Sequence, residues 1–365
     1  MHYHVDTLRA VDRSLRDRGI GFAILSARDH PDAIGRVALR EKLIASHHHF
    51  RLTEKLVGRF QLRYQHGLIP MLRAMQPRVI VTTCHTGTVT EWAALRWARS
   101  AGVRRVAWQC GYEYNPGWIK NFALSRFVPM FDFHLCYHSN AKSYAMRYGA
   151  ADRQVLVMHN TIDEAKILPV ARGEARALLE TRHPELVGKK IVLHVGSVLE
   201  EKRIEVILEA LKHLDRRDVV FLLVGDGPLL PALESRFHDR GDWLPVGRIV
   251  EGVGLYFDGS DVFVLPGTGG LAINEAMAHR VPVISGYADG SADDLVVDGV
   301  TGFRLRGDSA QELAERLDDL LSDPDRARAM GTAGERRIRG ALSFERFIDR
   351  VVGVLTTQHA LATGR

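Results

Sequence analysis

The sequence contains few cysteines and lacks long apolar runs. Its three cysteines, Cys84, Cys110 and Cys136, are too few for a disulfide framework, and their odd number fits a reducing compartment. No apolar run reaches the roughly 18 residues that a bilayer-crossing helix needs, and the densest run, 219–224, has the length of a strand. The first residues do not show the basic and then apolar pattern of a secretory signal. We therefore expect a cytoplasmic protein.

The overall composition is that of a globular protein. Hydrophobic residues make up 46% of the 365 residues and charged residues 25%, which is close to the averages for soluble domains. This balance excludes a disordered chain and a collagen-like fibre. At about 100–200 residues per domain, the length predicts two domains.

The net charge of +5 conceals a difference between the two halves. Residues 1–170 hold 24 Lys and Arg against 13 Asp and Glu, a net charge of +11, whereas residues 171–365 hold 25 against 31, a net charge of −6. This asymmetry indicates an anionic partner for the first half: nucleic acid, an acidic membrane surface or a phosphorylated substrate. The alternative is a set of solvated helix faces in an Arg-rich protein.

Strand-like apolar runs alternate with amphipathic helices in the second half. The predicted strands lie at 190–196, 219–224, 243–246, 261–265 and 281–285, and the predicted helices at 203–214, 229–237, 253–257, 270–279 and 310–321. This alternation predicts βαβ units and a parallel sheet. Because the strands are continuously apolar, we expect both faces of that sheet to be covered.

The first half shows the same alternation of predicted strands and helices, but its hydrophobic patterns are less pronounced. Strands are predicted at 21–25, 79–83, 105–108 and 134–137, and helices at 5–15 and 90–99. The chain opens in an amphipathic helix, whereas an α/β domain of this kind normally begins with a strand. We therefore expect the true start of the protein to lie upstream of Met1.

Ligands of open α/β sheets bind beyond the carboxyl ends of the strands, and one loop in that position is rich in glycine. Gly267, Gly269 and Gly270 lead directly into a helix, whose backbone N–H groups suit a diphosphate. Glu275, about one turn further, is placed to bind a ribose diol, and Lys202 to add positive charge. The alternative is a glycine turn before an ordinary helix, with both side chains in solvent, since the loop is not a clean dinucleotide or P-loop motif.

Six motifs in order resemble the donor-binding domain of family 4 glycosyltransferases. They lie at 195–202, 224–228, 260–266, 270–278, 281–284 and 298–303, and the resemblance covers roughly residues 150–340. It implies an α/β GT-B fold, in which two Rossmann-like domains face each other across a cleft. We assign residues 1–168 to the acceptor-side domain, 169–342 to the nucleotide-sugar domain, and 343–365 to a C-terminal helix that packs back on the first domain.

The resemblance implies a set of donor-binding residues on the second domain. This set is Gly196, Ser197, Lys202, Arg203, Gly225, Gly247, Arg248, Gly267, Thr268, Gly269, Gly270, Leu271 and Glu275. Three positions depart from the family pattern. Gly267 stands where the family has the first of two glutamates, Ser197 where it has a basic residue, and Cys110 close to where it often has a histidine. These departures concern the identity of the sugar and the catalytic detail.

The acceptor-side candidates follow strands of the first half. They are His85, Cys110, Tyr112 and Glu113. His85 is either functional or simply hydrogen-bonded, and the aromatic side chains of 111–118 either stack on a sugar or pack under a loop. We predict catalytic roles for Lys202, Glu275 and His85.

No cofactor and no metal are predicted to be required. The carboxylate pair Asp323 and Asp325 lies between C-terminal helices, away from the predicted diphosphate site. The three consecutive histidines 47–49 lack partner ligands at metal spacing and are predicted to form an exposed loop.

The leading hypothesis is a retaining transfer of a sugar from a nucleotide-diphosphate sugar to an acceptor hydroxyl, in bacterial polysaccharide or glycolipid assembly. The alternatives are a catalytically silent nucleotide-sugar-binding subunit and another GT-B enzyme, such as a nucleotide-sugar epimerase or a phosphorylase. A dinucleotide oxidoreductase would need a clean glycine fingerprint with an acidic residue about 20 positions later, which the sequence lacks.

Two basic amphipathic stretches, 51–63 and 118–130, are predicted to be helices in the positive half. A basic amphipathic surface attaches reversibly to anionic lipid, so we predict a peripheral position on the inner face of the plasma membrane. The expected partners are an NDP-sugar donor, a lipid-linked or saccharide acceptor and an anionic membrane surface, with no nucleic acid. The alternative is that both helices turn their apolar sides to the protein core.

Overall fold

The computed structural model describes residues 5–27, 44–58, 60–111, 117–286, 290–307 and 309–364. The chain divides into two compact units. The first consists of Met1–His159 together with Glu345–Arg365, and the second of Asn160–Phe344.

The second unit is built on a six-stranded parallel sheet with helices on both faces. Its strands are β8 (Lys190–Val195), β9 (Val219–Val224), β10 (Trp243–Gly247), β11 (Val262–Leu265), β12 (Val283–Ser285) and β13 (Gly302–Arg304). Its helices are α6 (Arg172–Arg182), α7 (Ile204–Leu211), α8 (Leu230–Arg236), α9 (Gly254–Asp258), α10 (Leu271–Ala278), α11 (Ser291–Leu295), α12 (Ala310–Ser322) and α13 (Pro324–Arg339). The strand order is β10-β9-β8-β11-β12-β13.

Strand β9 shows why this sheet is visible in the sequence. All six of its residues are buried, and alternate side chains enter two different hydrophobic cores. Phe221 and Leu223 belong to the core on one face, and Leu222 and Val224 to the core on the other. A strand that is covered on both faces has no polar side, so its sequence is continuously apolar. The predicted strands of the second half are confirmed, and β13 is an additional one.

The first unit contains a four-stranded parallel sheet in the order β4-β5-β6-β7. Its strands are β4 (Val79–Thr82), β5 (Arg104–Gln109), β6 (Phe133–Cys136) and β7 (Val155–Val157). The helices of this unit are α1 (Val5–Arg16), α2 (Leu68–Met75), α3 (Val89–Ser100), α4 (Trp118–Phe127), α5 (Ser139–Arg147) and α14 (Phe344–Thr363). Helix α14 contacts β5: the ring of Phe347 meets Trp108 edge to face, and Arg104 Nε donates to Gln358 Oε1 at 2.9 Å.

The predicted helix at 51–63 is wrong, because this stretch forms a β-hairpin. Strands β1 (Ile24–Ala27), β2 (His47–Val57) and β3 (Phe60–His66) make a second sheet, in which β1 pairs with β2 in parallel and β2 with β3 antiparallel. Gly58 turns the chain with a left-handed φ of 60°, which a helix interior does not accommodate. The N–H of Arg63 also bonds to the carbonyl of Gly87 at 2.9 Å, a long-range contact that fixes β3 as a strand.

The expected exposed loop at 47–49 is also wrong. These histidines begin β2, and His47 is buried with its Nε2 2.8 Å from the hydroxyl of Ser26 on the neighbouring β1. The parallel pairing of β1 with β2 covers this side chain, which the local sequence does not reveal. In contrast, the predicted helix at 118–130 is present as α4, followed by a 3₁₀ turn at Val128–Met130.

None of the helices in the described ranges combines the length and the apolar composition that a segment needs to cross a bilayer.

Candidate functional site

The carboxyl ends of the parallel strands in the second unit define one edge of the sheet. The chain runs from β8 to β9 and β10 on one side, and then to β11, β12 and β13 on the other. The strand order therefore reverses between β8 and β11, the position at which open α/β sheets bind ligands. The loops 196–203 and 266–270 follow these two strands.

Backbone contacts join these two loops closely. Thr268 N–H donates to the carbonyl of Glu201 at 2.7 Å. A Cβ on Gly267 would lie 2.0 Å from that same carbonyl oxygen, and a Cβ on Gly225 would lie 1.7 Å from the carbonyl oxygen of Gly196. Only glycine permits these approaches, so the geometry of the edge depends on the absence of side chains there.

The ammonium group of Lys202 rests on the glycine-rich loop. Its Nζ donates a hydrogen bond to the carbonyl of Thr268 and lies 3.1 Å from the point where a Cβ of Gly269 would stand. Helix α10 begins directly after Gly270, and this residue has no side chain that could cap the first N–H groups. A cation and the amino end of a helix therefore lie together, which is an arrangement that binds anions.

Glu275 lies on α10, half-buried, and burial raises the pKa of its carboxyl group, while the charge of His279 acts in the opposite direction. Within the described residues, its carboxylate has no hydrogen bond and no ion pair. The preceding residue, Asn274, is fully buried and donates through Nδ2 to Thr161 Oγ1 at 2.9 Å. The helix is thus fixed in place, while the desolvated carboxylate retains the capacity to accept hydrogen bonds from a ligand.

The other predicted donor residues lie along the same edge. Gly225 N–H donates to the carbonyl of Gly247 at 2.8 Å, and Gly196 N–H to that of Val224 at 3.0 Å, so the ends of β8, β9 and β10 are linked. Ser197 is exposed, and Arg203, the residue before α7, has a left-handed φ of 56°. The structure thus brings Lys202 together with Gly267, Thr268, Gly269, Gly270 and Leu271. Arg248 is exposed after β10, two strands from β8.

His194 is a buried polar group of this edge that the sequence analysis did not single out. Its Nδ1 lies 2.9 Å from the carbonyl of Val264, so Nδ1 carries the proton and Nε2 is left as an acceptor. Nε2 is buried without a hydrogen bond and lies 3.4 Å from the Cβ position of Gly196. Burial lowers the pKa of His194 to about 4, and Lys202 contributes through its charge. The only signal in the sequence is a histidine inside an otherwise apolar strand.

The candidate acceptor residue of the first unit, His85, lies on the turn between β4 and α3. Burial, together with the charges of Arg63 and Lys120, lowers the pKa of His85 to about 4, so the imidazole is neutral near pH 7. Its Nδ1 is buried and has no hydrogen bond to any residue that the structure describes. A neutral imidazole on the carboxyl-terminal side of a strand is suited to bond a hydroxyl group.

Glu91, which the sequence analysis missed, holds this turn. Its two carboxylate oxygens accept from the N–H groups of Cys84 at 3.0 Å and of His85 at 3.3 Å. Cys84 has a left-handed φ of 57°, which directs the two consecutive N–H groups toward the helix. Burial raises the pKa of Glu91 to about 7. A glutamate in the first turn of a helix is a common sequence feature, so nothing in the sequence marked this one.

The remaining acceptor candidates follow β5, the neighbour of β4. Cys110 is exposed just beyond the end of the strand. Tyr112 and Glu113 lie outside the described residues. No group of three or more His, Cys, Asp or Glu side chains in the described part of the chain is arranged to hold a metal ion.

Comparisons with known proteins agree with this architecture. The family description "Glycosyl transferases group 1" matches residues 178–337. The chain is 28% identical, over 281 residues, to the GDP-mannose-dependent alpha-(1-6)-phosphatidylinositol monomannoside mannosyltransferase of Mycolicibacterium smegmatis, a match that covers 73% of this chain and 66% of that protein. Across three curated relatives the match spans between 36% and 66% of the relative's own length.

Two solved structures show the same fold over almost the whole chain. HepE of Anabaena, solved with UDP and glucose, has a TM-score of 0.73 and 16% identity, with 97% of this chain and 96% of that chain covered. Sucrose-phosphate synthase of Thermosynechococcus elongatus has a TM-score of 0.73 and 19% identity, with 97% and 93% covered. Residues 178–337 are thus a glycosyltransferase group 1 domain in a chain with the α/β GT-B fold, and the comparisons support a glycosyltransferase enzyme.

Proposed function

We propose that this protein is a retaining glycosyltransferase that moves a sugar from a nucleotide-diphosphate sugar to an acceptor hydroxyl, in bacterial polysaccharide or glycolipid assembly. The observation that carries the proposal is the position of the Lys202 ammonium on the glycine-rich loop, at the start of α10. The fold and the group 1 domain support it. Retention of the anomeric configuration rests on the resemblance to family 4 glycosyltransferases.

The proposed chemistry follows from where negative charge develops. As the bond from the sugar to the diphosphate breaks, the leaving diphosphate gains charge while the sugar becomes cation-like. We propose that Lys202, which is held on the glycine-rich loop, and the N–H groups of Gly270 and Leu271 at the start of α10 stabilise that charge with little reorganisation. Glu275 accepts hydrogen bonds from the ribose diol. The acceptor proton leaves through the diphosphate oxygen, and neutral His85 orients the acceptor hydroxyl.

We also propose that no metal is needed. A divalent cation in such a reaction neutralises the leaving diphosphate. In this protein Lys202 and the amino end of α10 supply positive charge at that position, so the role of the metal is already filled.

Gly267, in the position of the family's first glutamate, is part of the proposal. The backbone of 201 and 202 fills the space that a side chain at 267 would need. We propose that the backbone amide of Gly269 contacts the transferred sugar instead. Position 267 cannot hold a side chain because the backbone that carries Lys202 lies directly against it.

The proposed acceptor is lipid-linked or a saccharide, used by the protein at the cytoplasmic face of a membrane. The mycobacterial relative is named for an acceptor that is a phosphatidylinositol mannoside. The excess of basic residues in the first half of the chain is suited to an acceptor of negative charge.

A donor screen tests the proposal. The purified protein is incubated with a panel of UDP-sugars and GDP-sugars, with membrane extract as the source of acceptor, and free UDP or GDP is measured. We expect release from at least one donor. Lys202→Ala should lower that turnover by about 10²-fold, because the largest source of positive charge at the diphosphate is lost.

Lys212→Ala is the matched control, since Lys212 is an exposed lysine of the same unit that pairs with Glu209 at 2.6 Å. It should turn over donor like the wild type, and Lys202→Arg should recover part of the lost activity. If calorimetry detects nucleotide binding but no donor is ever consumed, the protein is a silent binding subunit. If the donor is recovered as its epimer, it is an epimerase.

A further inference from the structure

Seven large apolar side chains of the first unit stand in solvent on two segments. Four belong to the β2–β3 hairpin and three to α4: Leu56, Val57, Leu62, Tyr64, Trp118, Ile119 and Phe122. Trp118 is 79% exposed, Leu56 71% and Phe122 60%. We call this set of side chains, with the cations between them, the apolar–cationic surface. Exposed apolar groups of this size mark a site of interaction.

Both segments border the same turn. On the side of α4, the ring of Phe127 packs against that of Trp92 at 4.5 Å between centroids, and Trp92 Nε1 donates to the carbonyl of Thr86, next to His85, at 3.0 Å. The hairpin also touches the turn directly, since a Cβ on Gly87 would lie 2.5 Å from the carbonyl oxygen of Gln61. Both segments that carry the apolar–cationic surface therefore lie beside the turn of the candidate acceptor residue.

The two faces of the hairpin differ in charge. On the inner face, Arg63 Nε and Glu54 Oε1 form an ion pair at 2.6 Å. On the outer face, Lys55 stands opposite Leu62, and Thr53 opposite Tyr64. Every described residue of the outer face is exposed, and the face includes Arg51 and Lys55 but no acidic residue. At the tip, Leu56 and Val57 are both exposed although they point to opposite faces, so the tip projects from the unit.

Helix α4 repeats this combination of groups. Trp118, Phe122 and Arg126 form one row at intervals of four residues, and all three are exposed. The guanidinium of Arg126 lies 5.2 Å from the centre of the Phe122 ring. Leu124 and Phe127 are buried on the opposite side of the helix. The helix has two cations and no acidic residue.

We propose that the apolar–cationic surface docks on an anionic phospholipid bilayer, with Trp118, Phe122 and the hairpin tip at the level of the headgroups. Exposed Trp and Phe interleaved with Lys and Arg is the pattern of an interfacial segment, in which apolar groups enter the boundary and cations meet lipid phosphates. A lipid-borne acceptor then reaches His85 from the membrane. This last step, the class of acceptor, rests on the proposed function, whereas the docking does not.

Charge disfavours a symmetric pair of this chain that meets through the same surface on both copies. A symmetric pair would place the same cations of one surface against those of the other, which is unfavourable. A bilayer rich in anionic lipid offers the opposite charge over the whole surface.

Vesicle co-sedimentation of the full chain tests the docking without any sugar donor. Vesicles of phosphatidylcholine alone are compared with vesicles of phosphatidylcholine and phosphatidylglycerol at roughly two to one. We expect binding to the anionic vesicles, a blue shift of tryptophan emission on binding, and loss of most binding at about 1 M salt. The double variant Trp118→Ser with Phe122→Ser should weaken binding by at least about tenfold and abolish most of the blue shift.

Leu168→Ser with Val250→Ser is the matched control, because these residues of the second unit are 84% and 74% exposed. It should bind as the wild type does. Leu56→Ser with Val57→Ser, at the hairpin tip, is an independent second variant and should also weaken binding. Equal binding to zwitterionic vesicles, wild-type binding by both surface variants, or a dimer that these variants dissociate would each overturn the docking. Donor turnover, measured separately with soluble acceptors, decides the proposed function on its own.

Discussion

The two units hold their candidate sites by different means. In the second unit, the loops after β8 and β11 are joined through backbone hydrogen bonds and through glycines without room for a Cβ. In the first unit, the turn that carries His85 is held by side chains of α3: the buried carboxyl group of Glu91 accepts from two N–H groups of the turn, and Trp92 Nε1 donates to the carbonyl of Thr86 at 3.0 Å. The contact between the loops of the second unit is lost when a side chain is added at Gly267. The contact that holds the turn of the first unit depends instead on the protonation state of Glu91. This difference predicts distinct sensitivities for the two sites.

The sheets of the two units also differ in how completely their faces are buried. Strand β9 of the second unit is buried on both faces. On the outer face of the β2–β3 hairpin of the first unit, every side chain that the structure describes is exposed. Among the residues that the structure describes, strand β9 of the second unit is therefore covered on both faces, while the hairpin of the first unit is exposed on one.

Adding a methyl group at Gly267, where the backbone of the neighbouring loop leaves no room for it, should have the largest effect. Gly267→Ala would place Cβ 2.0 Å from the carbonyl oxygen of Glu201. We expect a loss of about 3 kcal/mol in the free energy of unfolding, measured with urea, because backbone must move to relieve the overlap. Gly173→Ala is the control, since no atom lies within 4 Å of its Cβ position, and it should be neutral or slightly stabilising. An unchanged free energy of unfolding in Gly267→Ala would show that the two loops can move apart at little energetic cost.

Removing the carboxylate of Glu275 in the second unit should have the next largest effect. We expect Glu275→Ala to weaken binding of nucleotide by roughly 1.5–3 kcal/mol, the value of a hydrogen bond to a charged group. Isothermal titration with UDP and with GDP measures this. Glu234→Ala removes an exposed glutamate of α8 and should leave both affinities unchanged. Equal affinities in wild type and Glu275→Ala would make Glu275 a structural residue.

The first unit should respond to pH through Glu91. Burial raises the pKa of this carboxyl group from 4.5 to about 7. Between these two pH values Glu91 is therefore protonated in the folded state, whereas in the unfolded state it has already lost the proton. The stability contributed by the protonated group is complete below the ordinary pKa of a glutamate and is lost as the pH rises through about 7. In Glu91→Gln this loss should disappear, which changes the difference in unfolding free energy between roughly pH 5 and pH 8 by about 1–3 kcal/mol.

Urea unfolding of both proteins at the two pH values gives the comparison. Burial lowers the pKa of His85, His134 and His194 to about 4, and their contribution has the opposite sign, so only the difference between wild type and Glu91→Gln isolates the carboxyl group. Parallel pH profiles in the two proteins would contradict the assignment.

Chelation should have the smallest effect. If Lys202 and the amino end of α10 supply the positive charge at the diphosphate, EDTA should leave the rate of nucleotide release unchanged within error. Loss of that rate with EDTA and its recovery with Mg²⁺ or Mn²⁺ would show that a cation shares this role in the second unit.

The parts that could be predicted from the sequence are those in which local pattern and burial agree. Strands β8, β9 and β11 are short apolar runs that end at glycine-rich or turn-forming loops, and these runs were sufficient to place the loops of the donor edge. Lys202 and Gly267 could be chosen because both follow such strands. The structure brings these two residues into contact, and their chemical roles stay predictions.

The parts that could not be predicted depend on contacts between distant residues. Over a stretch as short as 51–63, apolar residues fit a helical and an alternating period equally well, and the bond from Arg63 to Gly87 decides for the strand. Glu91 resembles any glutamate in the first turn of a helix until the turn at 84 and 85 folds back on it.

The sequence by itself determined the parallel sheet of the second unit and the glycine-rich edge, because burial on both faces and close backbone approach leave direct marks on residue type. Only the tertiary structure decided the hairpin, the Glu91 contact and the exposed outer face beside His85. The physical reason is that a residue's type records how much of it is buried on average, whereas its partners are set by the chain segments that fold against it.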